Sequence, residues 1–175
     1  SNANVQTAIN AAAVGDTVII PAGDCTWTGM VTVAKAITLK GTGAGQTIIR
    51  KPSNVQTILH ITTTANGTIF VSDITFNGQN FDTGPEGSII IEGTANNLNA
   101  FRFHHFELLN AAGRGFGIYL EGFEVGGLID HGTISQSGGG SKWISIEGTG
   151  PEDLAVRQAV IDKEGPEIVI IGKQA

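Results

Sequence analysis

At 175 residues the chain is long enough for one domain with a real core, and its 25 glycines beside only 15% charged residues fit short apolar runs separated by tight turns. A formal net charge of −6 argues against a nucleic-acid partner and against unaided binding of an anionic polymer, because either needs a basic face. Cys25 is the sole cysteine, which excludes an intrachain disulfide, and no apolar run approaches the roughly 18 residues that a membrane span requires.

In chain order, Ser1-Asn2-Ala3 (residues 1–3) reads as an expression-tag scar and is set aside. Asn4 can cap a helix in which Val5, Ala8, Ile9 and Ala12 form one apolar stripe, and Gly15 stops it. Residues 4–16 are therefore expected to be an N-terminal capping helix over the first coil of a repeat fold, and 17–175 the coils themselves. Thr17–Pro21, Val31–Val33, Ile37–Leu39, Thr47–Arg50 and Thr57–Thr62 are short strands by alternation of apolar and other residues. The glycines of Gly41–Gly45 form a turn; no Lys-Ser/Thr pair follows them, so they do not make a nucleotide loop. Trp27 is expected to help cover the first coil, and Cys25 to be a small buried apolar residue.

From residue 59 the strands can be laid over one another. Leu59–Thr62, Ile89–Glu92, Ile118–Glu121, Ile144–Glu147 and Ile168–Ile171 form one set, three of them ending in Ile-Glu-Gly or Leu-Glu-Gly. Val71–Phe76, Phe103–Leu108, Ile129–Ile134 and, less regularly, Val156–Ile161 form a second set. In the second set the inward period slips by one in the middle, which predicts two short strands meeting at a bend, with Asp73, His105 and His131 stacked there and Ser72, His104 and Asp130 one place before. A repeat of roughly 25–32 residues with three short strands is the pattern of a solenoid. The fold expected is all-β, a single-stranded right-handed parallel β-helix of three short sheets with an N-terminal capping helix. The last rung begins at Glu167 with no cap after it, so further coils, or self-association through the uncapped last coil, are expected to cover it.

The segments Ala8–Gly23 (A-I-N-A-A-A-V-G-D-T-V-I-I-P-A-G) and Ile37–Gly43 (I-T-L-K-G-T-G) resemble the opening of pectin-lyase-like β-helix proteins. Phe101–Phe106 (F-R-F-H-H-F) and Gly127–Ile134 (G-L-I-D-H-G-T-I) resemble the repeating rungs of bacterial members. The resemblance implies a secreted or cell-surface protein of a superfamily that holds lyases, hydrolases, isomerases and non-enzymatic adhesins, so it implies fold more firmly than activity. It also implies that carboxylates on the first sheet are where a pectate lyase holds Ca²⁺ bridging to an acidic sugar polymer. The I-D-H of Ile129–His131 is similar to the W-I-D-H segment of pectate lyases, with Leu128 in place of the Trp. No Arg or Lys stands in a recognisable lyase motif, and the polygalacturonase motifs are absent.

Two constellations could carry chemistry. Alternation turns two columns outward, His60/Ile90/Tyr119/Ser145 and Thr62/Glu92/Glu121/Glu147. Adjacent rungs lie about 4.8 Å apart, so Glu92, Glu121 and Glu147 would act as Ca²⁺ ligands or as a catalytic acid and base, or remain solvated glutamates at strand ends. His60, Tyr119 and Trp143 are the expected sugar contacts. The second constellation is His104 with Asp130 on neighbouring rungs, where a carboxylate could orient a histidine for proton transfer; the competing expectation is a ladder that only ties down the bend. The functional expectation is a module that binds or cleaves polysaccharide, as a polysaccharide lyase or glycoside hydrolase. The alternative is a non-catalytic structural or adhesive stalk of the adhesin or phage-tail kind.

Overall fold

The computed structural model describes residues 1–63, 67–81, 87–94, 100–111, 116–122, 125–136, 142–146 and 168–170. It is a parallel β-solenoid of about three turns with one short N-terminal helix. One wall is a five-stranded parallel sheet made of β3 (Val31–Val33), β6 (Leu59–Thr62), β8 (Ile89–Gly93), β10 (Phe116–Gly122) and β12 (Lys142–Ile146). The other is an eight-stranded sheet. Its early strands are short: β1 (Thr17–Ile19), β2 (Gly23–Thr26), β4 (Thr38–Lys40) and β5 (Thr47–Arg50). Its later strands β7 (Ile69–Asn77), β9 (Ala100–Ala111) and β11 (Gly126–Gln136) are long, and β13 (Ile168–Ile170) ends it.

The long strands explain how three faces are made from two sheets. The first half of β7 pairs with β4 and its second half with β5, so one strand serves both faces by bending between them. The bend falls at Asp73, with φ 61°, and recurs at His105 (49°) and His131 (50°). Ser72 pairs with His104 and Ile74 with Phe106, while the corner residue between them stays out of the ladder. One extra residue in the left-handed region both turns the strand and shifts the alternation, so Val71 and Ile74, Phe103 and Phe106 all point inward. That is the slip visible in the sequence.

On the five-stranded wall, Val31, Leu59, Ile89, Ile118 and Ile144 share one column, and Val33, Ile61, Ile91, Leu120 and Ile146 another. Of these, the β-branched and leucine side chains from Val31 through Leu120 are buried in one continuous core with Val71, Phe76, Phe103 and Leu108 of the opposite wall. The Gly of the Glu-Gly strand ending has a physical reason at Gly122, which follows Leu120-Glu121. Its φ is +89°, and a Cβ there would overlap the carbonyl oxygen of Gly93 on the strand beneath.

The helix α1 (Asn2–Ala11) covers the first coil as expected, but it starts earlier than the sequence predicts. Ser1, not Asn4, is the cap, its hydroxyl accepting from the Asn4 amide at 3.5 Å; Ser at this place lets residues 2 and 3 complete the first turn. The carboxamide of Gln6 accepts from Thr32 N (2.8 Å) and donates to Thr32 O (3.1 Å), so it takes the place of a missing strand along the open edge of β3. Lys35 Nζ donates to the carbonyls of Ile9 (3.3 Å), Asn10 (2.6 Å) and Ala12 (3.0 Å), which satisfies the orphan acceptors at the helix end.

Three further differences stand out. The strand β2 was not visible in the sequence because G-D-C-T carries no apolar alternation; it forms by pairing with β5 and stays largely exposed. Ile168–Ile170 does not extend the five-stranded wall but pairs antiparallel with β11 on the other one. An Ile-Val-Ile run fixes neither sheet nor direction by its period alone. Finally, Ile90 sits in an outward column yet is only 5% exposed, so that column is not open to solvent along its whole length. The expected strand at Val156–Ile161 lies outside the described residues.

Candidate functional site

The five-stranded wall positions the first cluster. Glu92 on β8 and Glu121 on β10 are register partners, with Thr62 of β6 beneath them in the same column. Parallel neighbours are about 4.8 Å apart, so the two carboxyl stems rise side by side. His60 belongs to the adjacent column with Ile90 and Tyr119. Its Nε2 lies 2.9 Å from Glu92 Oε2, a diagonal contact between neighbouring rungs. An ionised carboxylate only accepts, so Nε2 carries the hydrogen and Nδ1 is the free lone pair when the ring is neutral. The two side chains are 20% and 39% exposed, sheltered enough to hold a geometry and open enough to meet a ligand. Tyr119 is half-buried beside them.

Of the predicted residues, the structure thus brings His60, Glu92, Tyr119 and Glu121 onto one face. Glu147 lies outside the described residues. Trp143 falls on β12, where its backbone alone is described. Among the described residues no three His, Cys, Asp or Glu side chains are grouped to hold a metal ion. The His60–Glu92 pairing went unpredicted, although its signal was present: the two residues stand in neighbouring outward columns one rung apart.

The bend of the other wall positions the second cluster. Asp130 has no solvent exposure. Arg102 grips it bidentately, Nε to Oδ1 at 3.0 Å and Nη2 to Oδ2 at 2.6 Å, and His131 Nδ1 lies 2.7 Å from Oδ2. Burial pushes the Asp130 carboxyl up, but the hydrogen bonds from Arg102 and His131, with their charges, outweigh it and hold the group below the usual carboxylate range. The expected His104–Asp130 contact is therefore replaced. Arg102 is on β9, two residues before His104, and its longer arm with a planar fork matches the carboxylate better than an imidazole does. His104 turns its Nδ1 to His105 Nδ1 at 2.7 Å instead. Burial, then the Arg102 charge, lower the His104 pKa, with Asp130 acting in the opposite direction and His105 adding to the fall.

The corner residues stack as the sequence predicts. The rings of His105 and His131 lie parallel within 7°, centroids 4.7 Å apart. On the coil below, Asp73 accepts from Ser72 Oγ at 2.6 Å and lies 3.8 Å from Lys40 Nζ. Arg102 is the residue that sequence reasoning undervalued here. It alternates with His104 on the outward side of β9; the register pairs it with Leu128 and Asp130 with His104, and only the side-chain hydrogen bonds show that it reaches diagonally to Asp130. No protein-family model, curated protein or solved structure matches this chain.

Proposed function

We propose that the chain is a pectin-lyase-like β-helix module that binds or cleaves polysaccharide, at the cell surface or after secretion, along the outward face of the five-stranded wall. The observation that carries this reading is the His60–Glu92 contact at 2.9 Å with Glu121 on the next strand. Glycoside cleavage with retention needs two carboxyl groups about 5–5.5 Å apart, one to protonate the leaving oxygen and one to meet the sugar carbon. Glu92 and Glu121 stand on neighbouring strands about 4.8 Å apart, a spacing on that scale. The hydrogen bond from His60 fixes the orientation of Glu92, which suits the carboxylate that must stay ionised, and leaves Glu121 as the proton donor. Tyr119, in the column of His60, offers a ring edge or face to a sugar. Used as ligands, the same two carboxylates with Glu147 would hold Ca²⁺ and so admit an acidic polysaccharide, which the net charge of −6 otherwise repels.

A second reading, a non-catalytic stalk, is favoured by the bend ladder, whose polar side chains bond one another rather than opening a site. The two are separated by titrating the parent and Glu121→Gln with Ca²⁺ and with neutral and acidic polysaccharides by calorimetry, beside reducing-end and unsaturated-product assays. Binding or turnover that falls at least tenfold in the variant, at unchanged thermal midpoint, supports the proposal. No saccharide or Ca²⁺ response in the parent overturns it in favour of the stalk.

A further inference from the structure

We propose that the bend of the solenoid is an acid-sensitive latch: the imidazoles of His104, His105 and His131 hold the corner while they are neutral and loosen it when they are charged. The His104–His105 contact is the first support. Two Nδ1 atoms 2.7 Å apart need one hydrogen between them, so one ring donates and the other offers its lone pair. The pair accepts a first additional proton at an outer nitrogen without losing that bond. A second one sets N–H against N–H, and the contact must open.

The ring stack is the second support. His105 lies face to face with His131 at 4.7 Å, so two charged rings would stand against each other with no carboxylate between them. Charged groups acting on His104 from the packed strands, among the described residues, are Arg102 on β9, Asp130 on β11 and Asp73 on β7, the last with Lys40 of β4 at 3.8 Å. Both carboxylates are already engaged, Asp73 by Ser72 and Lys40, Asp130 by Arg102 and His131. Protonated His131 keeps Asp130 as its partner; His105 gains a charge with none.

His105 and His131 hold φ near +50°, as Asp73 does on the coil below, so the corner itself keeps its left-handed geometry with or without a ring, and the imidazoles add contacts between neighbouring coils outside the ladder. Once the rings separate, those contacts between coils are lost and the ladder amides beside the corner open more often. The lowered pKa of His104 acts in the same direction. A group protonated less readily in the folded chain stabilises the fold above its unfolded pKa, near 6.5, and that contribution is lost as pH falls through the folded value.

Amide hydrogen exchange of the full chain at pH 7.5 and 5.5, corrected for intrinsic rates, tests the latch. In the parent, amides of residues 103–107 and 129–133 should exchange at least tenfold faster at the lower pH, relative to those of β6 and β8. His105→Asn keeps a residue that tolerates positive φ but cannot be charged, and should show less than a twofold change. Should His105→Asn not fold, imidazole proton titration of the parent by NMR gives the same decision. A cooperative change in the His104 and His105 ring signals at one pH, accompanied by the bend amides, supports the latch. Independent titrations with silent amides, or an equal acid response in His105→Asn, overturn it.

Discussion

Replacing Arg102 by alanine probes the electrostatic anchor of the bend. Asp130 is fully buried and has three hydrogen bonds, two of them from Arg102. Without that guanidinium the carboxylate keeps, among the described residues, His131 alone as hydrogen-bond partner in a place water reaches poorly. Removing one partner of a buried ion pair costs about 3–5 kcal/mol, chiefly because the charge left behind is uncompensated. Arg102 itself is 38% exposed, so water enters part of the vacated space, and the lower end, about 3 kcal/mol, is expected. At about 2–4 °C per kcal/mol for a chain of this size, the midpoint should fall by roughly 6–12 °C. Arg102→Lys keeps the charge but not the two-pronged fit and should lose about half as much. Urea and thermal unfolding at pH 7.5 measure both. The pH dependence adds a second check. The carboxyl of Asp130 is held below its ordinary value, so its contribution is present above the unfolded pKa near 3.9 and is lost as pH falls through the folded pKa. The deficit of Arg102→Ala should therefore shrink below about pH 4. A loss under about 1 kcal/mol at pH 7.5 would refute the reasoning, since that is what an exposed pair contributes.

Two further predictions concern packing, one at the bend and one over the first coil. Gly132 faces Phe106 across the ladder, and a Cβ on it would fall within the Phe106 ring; Gly132→Ala should cost about 1–3 kcal/mol in urea unfolding, and an unchanged midpoint would show that the ring has room to move. Trp27 is fully buried and its Nε1 has no acceptor among the described residues, so Trp27→Phe removes a costly orphan donor along with part of the ring. Its unfolding free energy should stay within about 1 kcal/mol of the parent, against a loss of about 3–5 kcal/mol for Trp27→Ala. A loss as large for Phe as for Ala would mean that the indole N–H is satisfied.

The inward columns were legible because burial acts on every second residue of a strand. Ile89, Ile118 and Ile144 announce one another in the sequence, and the register confirms them. The bend was legible for a related reason. Asp73, His105 and His131 are each the extra residue that breaks an otherwise regular alternation, and all three adopt positive φ. Other features left no such trace. β2 has almost no apolar face, and β13 has a period but no mark of direction, so their partners decide where they lie.

Of the candidate sites, membership of columns was legible from period alone: His60 with Tyr119, Glu92 with Glu121, His104 with Asp130. Pairing between columns was settled only in three dimensions. His60 reaches diagonally to Glu92, and Arg102 outcompetes His104 for Asp130, because side-chain length and hydrogen-bond geometry choose among neighbours that the register merely brings near. By itself, then, the sequence determined a parallel solenoid, its core and the place of its corner, since these follow from hydrophobic period and chain bending. Which polar atoms meet, which are buried and which stay open to a ligand was decided by tertiary structure, because directional bonds and desolvation depend on distances of a few tenths of an ångström that no period encodes.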